Sequence, residues 1–387
     1  MTHAPHRPVP VLHVTTSSQP HDIRIFYKEA MPLSRQGYGV DIAAPIAEQA
    51  CSGGVKLIPL GAPGGSRSRR IMRNLRAAWI MLRGGYDVIH VHSPELFVTA
   101  ALPRFFGKRI IYDIHEFYYE RIKESIWIWP PLRTAMAVTY ALLERMLLPH
   151  FSGLVVVTEE MREQYARYEP RTPVVLVRNY TYISEEARYQ ALHAGPPITQ
   201  PYIVHTGGAS RLHAFDVMVA VAEQLRENGI QDQIVNIGPI DLSGFSRNEQ
   251  GRLLERAKRA GIILTGILPY PELLQWIAHA RIGYLLRMEE ENAARALPTK
   301  LFEYFAFGLP VVVYRLRKTV ELMHNCEAGL LVGPANVPEH VAAIGRILSD
   351  DDLASKMSAA SQVQAQSYRF EPELQRLLNL YATITHT

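Results

Sequence analysis

The sequence predicts an α/β protein of two doubly wound, Rossmann-like domains. Three observations carry that expectation. Short β-branched apolar runs alternate with amphipathic helical stretches along the chain, and such strands between helices form a parallel sheet covered on both faces. The alternation pauses once, at 183–201 (ISEEARYQALHAGPPITQP), which is polar and then Gly/Pro-rich. Finally, 387 residues are too many for one ordinary core and suit two.

In order, strands are expected at 11–15, 40–44, 55–59, 88–92, 109–113, 154–158 and 174–178, with amphipathic helices at 24–36 and 69–83. A second series is expected at 202–206, 233–236, 261–265, 282–286, 310–314 and 329–332. The domains then read as 1–185, a linker at 186–200, 201–366, and a terminal helix at 367–387 that packs back on the first domain. In open α/β sheets ligands bind at the carboxyl ends of strands, so a central cleft lined by the loops after the strands is the place to seek chemistry.

Composition narrows the function classes. Hydrophobic residues are 48% and charged residues 20%, a folded, globular balance. A net charge of +4 fits anionic ligands such as a nucleotide diphosphate or an acidic lipid surface, and is too small to imply nucleic acid. Cys51 and Cys326 lack metal-ligand spacing and read as reduced cytoplasmic thiols. The start reads as a lead into the first strand, not a signal peptide. The longest apolar stretch, 134–151, is broken by Glu144 and Arg145, so no membrane span is expected.

The strongest chemical signal is 298–310 (PTKLFEYFAFGLP). Pro298 and Thr299 suit a helix start, Thr299 as a capping hydroxyl, and Gly308 suits its end. Backbone N–H groups at such a start can hold a phosphate, with Lys300 adding charge. Glu303 lies one turn on, where its carboxylate can meet ribose hydroxyls. The plainer reading is a surface Lys–Glu pair.

This segment resembles the C-domain signature of the GT4 family of glycosyltransferases, P-x-K-x-x-E-x-[ML]-A-x-G-x-P-V, which have the GT-B fold: two Rossmann-like domains facing a cleft. The flanks follow in order, 266–270 (GILPY) before it and 325–332 (NCEAGLLV) after it. In the first half, 21–39 (HDIRIFYKEAMPLSRQGYG), 87–92 (DVIHVH) and 110–116 (IIYDIHE) resemble a bacterial polysaccharide-type branch. The resemblance implies that Glu303 binds the donor ribose and is catalytic, that Lys300 and Thr299 lie against the diphosphate, and that His115 meets the donor sugar. Read without the family, a lone histidine after a strand is more often structural. His21 and Asp22 are implied on the acceptor side.

Two departures stand out. The carboxylate usual eight residues before the ribose glutamate is Arg295 here, and Glu291 reaches that place only by a loop shift. The loop 205–216 (HTGGASRLHAFD) has Gly208 and His213 where the family has an Arg and a Lys, which makes Arg211 the candidate cation. Gly207 and Gly208 still allow backbone to approach a phosphate closely.

Negative charge builds on the leaving diphosphate as the glycosidic bond breaks, so cations and dipoles there stabilise the transition state. The resemblance implies retention of anomeric configuration, no bound metal and no cofactor beyond the nucleotide-sugar co-substrate. The acidic run Asp350, Asp351, Asp352 reads as a helix start, not a metal motif.

For the acceptor, a saccharide or a lipid-linked one, two stretches bear. Arg67, Arg69, Arg70, Arg73 and Arg76 crowd one helix, which either lies on an anionic membrane as a peripheral contact on its inner face or is a solvated basic face. Trp127 and Trp129 follow the His115 loop and either meet an acceptor or pack locally. Three other readings compete. A nicotinamide dehydrogenase needs glycines after the first strand, and Ser17, Ser18, Gln19 and Pro20 supply none. A GT-B epimerase or phosphorylase fits the 298–310 motif less well. Arg295 and the altered loop motivate a degenerate transferase serving as a scaffold.

Overall fold

A computed structural model describes residues 8–64, 66–125, 128–169, 171–289 and 297–386. They form two units: one runs through Asn179 and resumes at Phe370, and the other spans Tyr180–Arg369. Trp127, Glu291 and Arg295 fall outside the described residues.

In the first unit the described strands are β1 (Pro10–Val14), β2 (Gly39–Ala44), β3 (Ala50–Ser52), β4 (Val55–Pro59), β5 (Val88–Val91), β6 (Arg109–Ile114), β7 (Gly153–Val156) and β8 (Val174–Leu176). They lie in the order β3-β4-β2-β1-β5-β6-β7-β8, parallel except for the β3–β4 pair. The chain order reverses between β1 and β5, which makes their carboxyl ends the switch point. The two-residue alternation of strands sorts the side chains. Leu12, Val14, Ile89, Val91 and Tyr112 enter one apolar core. His13 and His90, paired in register, face the other way with His92, Asp113 and His115.

That second face is covered by the helix after β1 and by the terminal helix. The first does not run as one α-helix over 24–36. It opens with wide i→i+5 turns over Ile23–Ala30 and tightens to an α-helix over Met31–Arg35. Pro32 has no N–H to offer the preceding turn, so the regular hydrogen-bond ladder cannot pass through it. The wide turns bury Arg24, Lys28 and Glu29 together. The terminal helix Glu371–His386 buries Leu377, Leu380 and Tyr381 in the first unit. Gly153 lies against Leu380, whose Cδ1 would have to shift to admit a Cβ 2.8 Å away.

The second unit has β9 (Tyr202–Thr206), β10 (Ala209–Ser210), β11 (Gln233–Ile237), β12 (Ile240–Asp241), β13 (Ile263–Gly266), β14 (Ile282–Leu285), β15 (Val311–Tyr314) and β16 (Gly329–Val332). Its main sheet is parallel, in the order β13-β11-β9-β14-β15-β16, with its switch point between β9 and β14. β10 and β12 pair separately. Apolar cores line both faces of the main sheet.

The stretch 186–200, expected as a linker, is instead largely helix, Glu185–His193, and belongs to the second unit. Ser184 caps it by accepting from Ala187 N at 3.2 Å, with Glu185 and Glu186 in the first turn. It is held by Gln275 Nε2 donating to Gly195 O at 2.9 Å and by the contact of His279 Nε2 with Ala191 O at 3.2 Å. Asp350 accepts from Leu353 N at 2.9 Å, so the aspartate run is a helix start. Cys51 and Cys326 are free thiols. Among the described residues no helix is long and apolar enough to cross a membrane.

Candidate active site

Polar groups gather at the carboxyl ends of the central strands in each unit. In the second unit, β9 ends at Thr206 and turns through Gly207–Gly208. A Cβ on Gly207 would lie 2.5 Å from His205 Nε2. Beside it, after β11, Gly238 has φ +154°, and a Cβ there would lie 2.4 Å from Gly207 O. Only glycines let the two turns meet this closely.

The helix Thr299–Ala306 leads from the end of β14 toward β15. The ring of its Tyr304 lies on Gly283 of β14, where a Cβ would come within 2.5 Å. Thr206 N donates to the Tyr304 hydroxyl at 2.8 Å. The helix that carries Thr299, Lys300 and Glu303 is thereby anchored to the end of β9. Pro298, not Thr299, occupies the cap position, and no side chain caps the first turn. The expected capping role of Thr299 is corrected: it is the first helical residue, because the chain turns at Pro298. Lys300 is exposed and Glu303 is buried.

Arg211, expected as the cation of this loop, is exposed. Its guanidinium donates to Gly244 O at 3.1 Å and sits over the Phe245 ring at 5.4 Å. The guanidinium lies against the 242–246 loop, because Arg211 sits where β10 packs beside β12. Arg287, which sequence reasoning missed, is placed differently. It follows β14, and its Nε is buried without a hydrogen-bond partner among the described residues. Met288 N donates to Leu212 O at 2.9 Å and ties this segment to the loop carrying His213. Burial first, then the charges of Arg287 and Lys300, push His213 down to about 4. Burial likewise pushes His205 to about 3, against the bond between its Nδ1 and Tyr284 O. Both imidazoles are neutral near pH 7, so Arg287 and Lys300 supply the positive field. The available signal for Arg287 is its place after the strand at the switch point.

In the first unit, His115 stands just beyond β6, its side chain 31% exposed. Its Nε2 is 2.7 Å from Asp113 Oδ2. Asp113 is buried and also accepts from His92 Nδ1 at 3.1 Å and from Arg24, Nε at 2.8 Å and Nη2 at 2.9 Å. Burial raises this carboxyl, but the Arg24 guanidinium and then His115 more than offset it, holding it well below the usual range. An ionised Asp113 accepts from His115 Nε2 and so holds a proton on that nitrogen. Sequence reasoning found His115 but not Asp113, Arg24 or His92, which strand register brings to it.

Asp22, expected on the acceptor side, is a helix cap: its carboxylate accepts from Arg24 N at 2.9 Å and Ile25 N at 3.1 Å. His21 is exposed and meets the Phe26 ring edge-on. Trp129 is 68% exposed at the start of the helix Pro130–Leu147, whose Leu132, Met136, Leu142 and Met146 are also exposed. On the helix Arg67–Arg83, Ile71, Met72, Leu75 and Trp79 are exposed among Arg69, Arg70 and Arg76. Arg73 is not part of that face: it is buried and donates to Ala62 O at 3.0 Å. The short turn Leu102–Phe106 packs beside this helix with Phe105 and Phe106 exposed.

Residues 26–180 match the family of glycosyl transferase 4-like domains, and residues 200–350 match glycosyl transferases group 1. Alpha-D-kanosaminyltransferase of Streptomyces kanamyceticus is 21% identical over 320 residues, which is 76% of this chain and 77% of that protein. D-inositol 3-phosphate glycosyltransferase of Corynebacterium urealyticum is 25% identical over 62% of this chain and 59% of its own length. Among solved structures, sucrose-phosphate synthase of Thermosynechococcus elongatus superposes with a TM-score of 0.68 at 18% identity, covering 98% of this chain and 99% of that one. HepE of Anabaena, in complex with UDP and glucose, superposes with a TM-score of 0.64 at 14% identity over 97% of this chain and all of that one (100%).

Proposed function

The chain belongs to the GT4 family of GT-B glycosyltransferases, and from that premise we propose that it moves a sugar from a nucleoside-diphosphate donor to a lipid-linked saccharide acceptor in cell-surface glycan synthesis, with retention of configuration and with no metal ion taking part in the transfer. The observation that carries the donor reading is the pair Lys300 and Arg287 beside the Gly207–Gly208 turn at the switch point of the second unit. Lys300, Arg287 and the backbone N–H groups of the glycine turn and of Thr299 hold the diphosphate. Glu303 accepts the ribose hydroxyls. His115, its proton fixed by Asp113, meets the donor sugar. As the bond from the sugar to the phosphate oxygen breaks, the acceptor oxygen bonds the same face of the anomeric carbon and its proton passes to the leaving phosphate. Two solved relatives in fold were obtained with UDP and glucose or with UDP-2-fluoro glucose, which makes uridine diphosphate the first nucleotide to try.

The test is release of nucleoside diphosphate from a panel of nucleotide sugars with candidate acceptors, alongside thermal shifts with the free diphosphates. A ligand at a hundred times its Kd stabilises the fold by about 2.7 kcal/mol. Absence of turnover and of any shift across the panel sinks the reading. Arg287→Ala is expected to weaken diphosphate binding by roughly tenfold or more, as loss of a charge-assisted hydrogen bond does. Arg211→Ala is expected to change it about twofold at most, since that charge is exposed and lies against the 242–246 loop. The reverse order would return the cation role to Arg211.

The lipid-linked acceptor is supported by the exposed apolar residues of the helices Arg67–Arg83 and Pro130–Leu147 and of the turn Leu102–Phe106. Exposed apolar side chains interleaved with arginines suit the interface of an anionic bilayer, as a peripheral contact on the cytoplasmic face. Flotation with vesicles of phosphatidylglycerol and phosphatidylcholine is expected to carry the protein, and phosphatidylcholine alone is not. Arg69→Glu/Arg70→Glu is expected to abolish flotation, and equal flotation with both vesicle types overturns the electrostatic part.

A further inference from the structure

Three histidines and a glutamate converge inside the first unit in a way that sugar transfer does not use. His13 and His90 stand side by side on β1 and β5, His92 follows β5, and Glu29 comes from the wide-turned helix. All four are buried. His13 Nδ1 and His92 Nε2 are 2.9 Å apart. Glu29 Oε2 faces His13 Nδ1, His92 Nε2 and His90 Nδ1 at 4.0, 3.9 and 3.7 Å. Among the described residues neither Glu29 oxygen has a hydrogen-bond partner. Oε1 keeps an ion contact with Arg24 Nε at 3.1 Å. Oε2 faces imidazole nitrogens that all stand beyond hydrogen-bond reach.

A buried carboxyl oxygen without such a partner is costly to leave unmatched. The spacing is that of donors around a cation. Ligand atoms held 2.0–2.1 Å from a zinc lie about 2.9 Å apart at a right angle, about 3.4 Å at the tetrahedral angle and approach 4 Å at wider ones. The ring centroids, 4.4 to 5.1 Å apart, fit imidazoles radiating from one point.

We propose that this cluster binds one divalent transition-metal ion, zinc by its donor set, with His13, Glu29, His90 and His92 as ligands. Three imidazoles and a carboxylate suit zinc and its first-row neighbours, whereas magnesium and calcium require oxygen. The surroundings complete the arrangement. His92 turns its other nitrogen to Asp113 at 3.1 Å, the carboxylate–histidine–metal relation that orients a ligand imidazole. The Tyr381 hydroxyl lies 3.3 Å from His13 Nε2 and 2.9 Å from His90 Nδ1, and gives up the second contact when an ion takes that nitrogen. An ion here ties β1, β5 and the opening helix, so its binding energy is folding energy. No step of the transfer chemistry passes through it.

The test uses the full chain without a histidine tag, produced in zinc-supplemented medium and desalted. Metal analysis is expected to find about one zinc per chain, as four protein ligands bind one ion. Refolding with cobalt in place of zinc is expected to give visible d–d absorption. Glu29→Gln/His90→Asn is expected to lower metal content about tenfold or more. A thermal shift with nucleoside diphosphate in that variant shows that it folds. The proposal is overturned if the wild-type chain holds only traces of metal and, after chelation, shows no rise in Tm with added zinc. Equal metal content in wild type and variant also overturns it. Should the variant fail to fold, the wild-type stoichiometry decides alone.

Discussion

Glu303→Ala is expected to lower kcat/KM for transfer by roughly a hundredfold or more, the loss of a charge-assisted hydrogen bond compounded by misplacement of the donor. Its Tm is expected to stay within a few degrees of wild type. Glu303 sits in the second turn of a helix that Tyr304 anchors through Gly283 and Thr206. The reading separates binding from folding. Glu303→Gln keeps the shape and one acceptor oxygen, so its loss is expected to be smaller than that of Glu303→Ala. Measured kinetics with one donor at several concentrations decide the case. Activity like wild type in Glu303→Ala removes this residue from the donor site, and a collapse of Tm would recast it as structural.

The main strands of both sheets were readable because they are continuous β-branched runs, the short β3, β10 and β12 were not, and the main helix was readable because 298–310 gathers its chemistry within two turns. What failed was information held in contacts between distant segments. Arg211 is close in sequence to the family's cation position, yet its side chain follows β10 toward the 242–246 loop. Arg287 lies far away in sequence and arrives through one backbone bond, Met288 to Leu212. The stretch 186–200 misled because its Gly/Pro tail outweighed the serine cap and glutamates that announce a helix. The histidine cluster draws on β1, β5, the opening helix and the terminal helix, so only strand register assembles it.

Asp113→Asn is expected to destabilise the first unit by about 3–5 kcal/mol, the cost of removing the bidentate partner of the buried Arg24, which keeps only its ion contact with Glu29. That corresponds to a fall in Tm of roughly 10 °C or more for a unit of this size. Arg24 is buried, and its fork points at both Asp113 oxygens, so no water can take over the vacated charge. The variant is also expected to lose transfer beyond what unfolding explains, at temperatures where it remains folded. An amide in place of the carboxylate can donate its NH2 to His115 Nε2, which moves the imidazole proton to Nδ1. Arg24→Lys separates the two effects: it keeps a cation on Asp113, so His115 retains its proton on Nε2, while the bidentate geometry is lost. Its stability is expected to fall less than that of Asp113→Asn, and its kcat to stay near wild type once corrected for the folded fraction. If Asp113→Asn melts within about 2 °C of wild type, the ion pair does not hold this face of the sheet together. If it also turns over normally, the orientation of His115 by Asp113 has no part in transfer.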